Sequence, residues 1–317
     1  MSTTTSAADA IAAAKQKVSN WGRWGDDDVF GTLNFIDGDK RRAALSSIRS
    51  GETLSLSIEY GISGPQTGDL GRFNPVHTMT LTDETTRGQF PHGIGAADDV
   101  IMMPMQCATH WDGLGHIFDH GAAWNGREAS NVVNAAGDTV TGIERVTHAF
   151  ASRGVLLDVA RAVGDGELPD GFAITVEHLE RTIAAQGESS GIGRGDIVLV
   201  RTGQLSRCRR EGWGEYAGGS APGVSFGTID WIHDREIAAI ATDTWGAEVR
   251  PNEFADAFQP WHQVVIPHLG LYVGEMFDLD RLAKRCAGDG AYDFLLVAAP
   301  LAVKGGVGAP ANPIAIR

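Results

Sequence analysis

The sequence predicts an α/β fold with a mixed β-sheet core and flanking helices. Short apolar runs of strand length recur along the chain. In the second half they alternate with helical patterns, whereas strand-like segments dominate the first half. Alternation throughout would call for a strictly doubly wound sheet; alternation confined to one half calls for a mixed one. No internal repeat, low-complexity block or interdomain linker interrupts the pattern. Residues 1–317 are therefore read as one unit, with residues 1–50 as an N-terminal extension.

In chain order, residues 1–18 read as a frayed start followed by a short alanine-rich helix. The next segment, WGRWGDDDVFGTLNF, is too glycine-rich for a stable helix and too aromatic for a solvated linker. Trp21, Trp24 and Phe30, set among glycines, suit a lid over a bound molecule. Residues 39–50 suggest a helix, and TLSLSIEY at 53–60 alternates as a half-buried strand does. The Gly- and Pro-rich stretch 61–75 reads as loop. Residues 76–81 and 99–103 are expected strands, the second leading into PMQCATHWDGLGH. Apolar runs at 154–159, 196–201 and 237–242 have the composition of buried strands. Helices are expected at 175–186, 229–234 and 278–286, the last with Asp278 as its N-cap. A long strand over 292–303 closes the series.

Composition narrows the partners. The chain carries 40 Asp+Glu against 26 Lys+Arg, a formal charge of −14 that repels phosphate backbones and anionic headgroups. Nucleic acid and membrane surfaces are accordingly not expected partners; a small-molecule substrate is. The N-terminus lacks a basic segment followed by a long apolar one, and no window approaches a membrane span. Three cysteines without a CxxC pattern favour a reducing, cytoplasmic setting over a disulfide framework. With ten histidines, any metal site should be rich in nitrogen and oxygen rather than thiolate.

The chemistry concentrates in residues 106–120. His110 and Asp112 are two apart, so in extended structure their side chains leave one face. His116 follows beyond a Gly-containing bend that could return it to them. Imidazole nitrogen with carboxylate oxygen is the donor set of Zn²⁺ or Mn²⁺ sites that retain a position for water. Hydrogen bonding within a loop is the competing explanation of the same residues. No dinucleotide fingerprint, phosphate-binding loop, Gly-x-Ser-x-Gly elbow or His-Glu-x-x-His is present. Cys107 has no identifiable base beside it and reads as a small buried residue.

This segment resembles the signature of the cyclase family of metal-dependent hydrolases, His-x-Gly-Thr-His-x-Asp-x-Pro-x-His. Thr109, His110, Asp112 and His116 match, while Gln106, Ala108 and Leu114 stand where that pattern has His, Gly and Pro. NWGRWGDDDVFGTLNFI, GDIVLVRTG, ATDTWGAE and PLAVKGGVGAPANPIAI resemble further family blocks in the same order. His262, Gly270 and Glu275 resemble its late His…Gly…Glu segment.

The resemblance implies a swivelling β/α/β-like fold and a divalent ion, Zn²⁺ or Mn²⁺, bound singly or as a pair. It implies metal ligands at His110, Asp112, His116, His262 and Glu275, with Gln106 in the place of a ligand. It makes His116 and Glu275 the candidates for proton transfer, and Trp21, Trp24, Phe30 and Trp111 the candidates for contact with the substrate. The implied activity is hydrolysis of a small amide, cyclic amide or lactone by a metal-activated water, in a dimer or tetramer. A metal-dependent isomerase or dehydratase, and a non-catalytic small-molecule-binding protein on the same scaffold, are the alternatives.

Overall fold

A computed structural model describes residues 6–317; the frayed start expected at the N-terminus lies largely outside them. Nine strands form one sheet. At its centre Ala151–Leu157, Ile197–Val200, Ala239–Thr242 and Tyr272–Glu275 run parallel, side by side in that order. Antiparallel strands extend both flanks. Asp293–Val297, Ile314–Ile316 and Thr53–Ser55 lie beyond Ala151–Leu157, and His110–Asp112 and Gly308–Pro310 lie beyond Tyr272–Glu275. The sheet is thus mixed, as the sequence pattern predicts.

The parallel strands read as unbroken apolar runs because both of their faces are covered. Successive side chains enter different cores. Leu156, Leu199, Ala239, Ala241 and Tyr272 pack on one face, with Leu282, Ala283 and Cys286 of the helix Asp280–Asp289. Val155, Leu157, Val198, Val200, Ile240 and Val273 pack on the other, under the helices Ala7–Val18, Val176–Gln186 and Thr228–Asp234. The N-terminal helix buries Ala7, Ile11 and Val18, and its Lys15 reaches the buried Asp119 at 2.7 Å.

Several local expectations shift. The last helix begins at Asp280, not Asp278. The Asp278 carboxylate is gripped by Arg209 at 2.9 and 2.5 Å and also accepts, at 3.4 Å, from the backbone N–H of Asp280, the first helical residue. The last long strand stops at Val297, shortly before Pro300, which has no N–H to give a ladder. The helix expected over 39–50 ends as an α-helix at Ala44 and tightens into a 3₁₀ turn, Leu45–Ser47. Of residues 53–60 only Thr53–Ser55 is a regular strand, because its partner runs no further than Ile314. The strands Val76–Leu81 and Asp98–Met102 form a separate two-stranded ribbon exposed on both faces.

Candidate metal centre

The strand His110–Asp112 pairs antiparallel with Tyr272–Glu275, setting His110 directly opposite Glu275. Directly opposed residues share a sheet face, and Asp112, two further along, joins them. The helical turn Pro260–Val264, buried except at Gln263, brings in His262. His110 Nε2 then lies 3.3 Å from Asp112 Oδ1 and 3.4 Å from Glu275 Oε2, while His262 Nε2 lies 3.4 Å from Glu275 Oε1. His116 Nε2 is 3.6 Å from the same Asp112 oxygen.

All but His116 are inaccessible or nearly so, yet His110 Nε2, Asp112 Oδ1 and His262 Nε2 have no hydrogen-bond partner. Buried polar atoms seldom go unsatisfied without a reason. Two donors about 2.1 Å from one ion at a tetrahedral angle sit about 3.4 Å apart, the spacing found here. One donor each from His110, Asp112 and Glu275 also fall within 4.8 Å of one another. The residues therefore fit a divalent cation.

The outward side of each imidazole fixes its tautomer. His110 Nδ1 donates to Ala108 O at 2.8 Å, and His262 Nδ1 donates to Glu248 Oε1 at 2.6 Å. Nε2 is thereby the atom of each ring that faces the centre, and a bound cation would take its lone pair in place of a proton. Glu248 is itself held by the backbone N–H groups of Trp261 and His262 at 3.3 and 3.1 Å. Glu248 closes the ATDTWGAE block, but only the fold ties this carboxylate to His262. A strained backbone accompanies the site: Met276, next to Glu275, and Gln259, before the His262 turn, have φ of 58° and 50°.

Electrostatics follow from the crowding of carboxylates. Burial disfavours the charged form of His110, but Asp112 and Glu275 outweigh it and raise its pKa to about 9. His262 is likewise opposed by burial but raised to about 10 by Glu248 and Glu275. Asp112 and Glu275 are pushed below their usual range by the neighbouring imidazoles, against the effect of burial. In His116, burial dominates over Asp112 and lowers the pKa, which leaves a neutral imidazole at neutral pH. Burial also pushes the Cys107 thiol up to about 11, in keeping with a packed residue rather than a nucleophile.

A cavity of about 340 Å³ opens onto this centre, lined by Arg72, Gln106, His116, Phe258 and Gln259 among others. Gln106 sits beside Gly308, the strand partner of Asp112; a Cβ on that glycine would lie 2.9 Å from Gln106 Nε2. None of Trp21, Trp24, Phe30 and Trp111, the aromatic residues expected at the substrate, lines this cavity. Trp111 alternates with His110 and Asp112, so it points into the opposite core, where it is fully buried against Phe150 and Phe277. Trp21 stacks on His268 at 4.7 Å and donates to Pro267 O. Trp24 packs on Phe35 and Trp124, and Phe30 on His148. These contacts fix the N-terminal segment onto the body of the protein, and Phe258 is the aromatic side chain lining the cavity. His268 and His120 gather around Asp119, which also accepts from Lys15 and Gln263, as a separate structural cluster. No disulfide forms among the described residues, and no helix there is long and apolar enough to cross a membrane.

Comparison with known proteins agrees with this architecture. A model of the Cyclase family, described as "Putative cyclase", matches residues 54–249. The crystal structure of a novel cyclase is 37% identical, with 96% of this chain and 99% of that one covered and a TM-score of 0.85. The chain belongs to the Cyclase family. Isatin hydrolase A from Labrenzia aggregata, bound to benzyl benzoate, shares the fold at 20% identity, 86% and 94% coverage and a TM-score of 0.60. A "predicted metal-dependent hydrolase from Bacillus stearothermophilus" does so at 17% identity, 83% and 97% coverage and a TM-score of 0.51. No curated protein matches the chain.

Proposed function

We propose that the protein is a metal-dependent hydrolase of a small amide, cyclic amide or lactone. The observation that carries this reading is the convergence of three unpartnered buried donors, His110 Nε2, Asp112 Oδ1 and His262 Nε2, around Glu275. Family membership supports it, as do fold relatives that are hydrolases. His110, Asp112 and Glu275 would hold an ion, Zn²⁺ or Mn²⁺, and His262, facing the other Glu275 oxygen, would complete the centre for one ion or two. When bound, a divalent cation supplies a Lewis acid for the carbonyl and lowers the pKa of a water.

The chain's own residues supply the rest. Glu275, with one oxygen toward each imidazole, is engaged within the centre and is the poorer candidate for moving protons. His116 is 20% exposed, lines the cavity and remains neutral at neutral pH. It would take a proton from the attacking water and return it to the leaving nitrogen or oxygen. Gln106 and Gln259 offer amide groups to orient the carbonyl from the cavity wall.

The test is turnover of N-formyl anilines, isatins and lactones in H₂¹⁸O. Label in the acid product and a loss of more than about 100-fold in kcat for His116→Ala are expected. A product free of solvent oxygen would instead point to an isomerase or dehydratase.

A further inference from the structure

Two arginines near this centre have neither a carboxylate nor a carbonyl partner among the described residues. Arg72 lines the cavity with His116, Gln106 and Phe258. Its guanidinium lies 4.8 Å from the Trp245 ring, and no carboxylate or carbonyl among the described residues pairs with it. Arg250 approaches Trp245 and Phe258, at 5.5 Å from each ring, and its buried Nη1 has no hydrogen-bond partner. The acids nearest in charge to Arg250, Glu248 and Glu275, are already engaged with His262 and the metal centre. In a chain with a formal charge of −14, two unpaired guanidinium groups around one indole are not accounted for by surface ion pairing.

Stacking on a ring immobilises a guanidinium while its in-plane N–H groups stay free to donate. A planar oxyanion is the complement of such a fork. We propose that Arg72 and Arg250 form a carboxylate-binding subsite, so that the substrates are small amides or lactones carrying a carboxylate. Phe258 then packs on the body of the substrate as the arginines hold its anionic end. This rests on the proposed hydrolase reading for where the scissile bond lies, but the subsite can be tested without turnover.

The probes are benzoate, benzamide and phenyl phosphate, with binding measured by calorimetry on metal-loaded and metal-stripped full-length protein. Wild type is expected to bind benzoate at least about tenfold more tightly than benzamide in both forms. The preference should collapse to within about threefold in Arg72→Met and be weakened but retained in Arg72→Lys, which keeps the charge and loses the planar fork. Arg250→Met should behave as Arg72→Met; if it fails to fold, Arg72 alone carries the test. Three results would overturn the proposal: no preference in wild type, a preference that persists in Arg72→Met and vanishes with the metal, or tighter binding of phenyl phosphate than of benzoate. If the subsite passes while no amide or lactone is turned over, it is the hydrolase reading that fails.

Discussion

His110 and Asp112 share a sheet face because strand side chains alternate, and the same alternation carries Trp111 into the core. The two imidazoles at the centre differ in their support. His110 is held by a carbonyl, whereas His262 is held by Glu248, a carboxylate that both orients the ring and raises its basicity. Glu248→Gln keeps an acceptor and much of the shape but removes the charge. It is expected to weaken divalent-metal affinity by about 10–100-fold with little change in circular dichroism. Competition against a chromogenic chelator measures this, and unchanged affinity would remove Glu248 from the site. Glu248 was legible only as the last residue of the ATDTWGAE block. Its partner, 14 residues later, depends on how the chain folds back.

At the scale of elements, the site needs the His262 turn and the Glu275 strand to meet at a fixed angle. Gly270 makes that junction, ending the wide turn Val265–Leu269 with φ of 76°. A Cβ there would approach Trp124 to within 2.5 Å, and the Gly270 carbonyl accepts from Thr32 N and Oγ1. Gly270→Ala is therefore expected to destabilise the fold by about 1–3 kcal/mol, read from urea unfolding. A neutral result would show that the junction tolerates another path.

The parallel strands were legible because runs such as IVLV and AIAT need no partner knowledge to be recognised as buried on both faces. The antiparallel register of His110 with Glu275 was not, since it joins segments separated by more than 160 residues. The late ligands came from resemblance to a family signature, not from any local periodicity. The packing of the aromatic N-terminal segment was hidden for a related reason. Tryptophans among glycines suit a lid and a packed strap equally well, and only tertiary contacts such as Trp21 on His268 distinguish them.

Across the whole molecule, metal and stability are linked. In the metal-free protein His110 and His262 hold protons up to about 9 and about 10, whereas unfolded imidazole loses them near 6.5. Between those values the folded chain binds more protons than the unfolded one, so its stability falls as pH rises. Metal-stripped protein should therefore lose melting temperature steadily from pH 6.5 to 9, and added divalent ion should restore it. A flat profile without metal would mean that the histidines do not share their protons with the carboxylates.

The central claim is that these residues hold a divalent ion, and metal analysis of the purified protein tests it most directly. Elemental quantification by mass spectrometry should find about one or two equivalents of a divalent transition metal in wild type. In a folded His110→Ala variant, less than about a tenth of that content is expected, together with the loss of hydrolysis. Wild-type protein without stoichiometric metal, or full turnover in His110→Ala, would contradict the account.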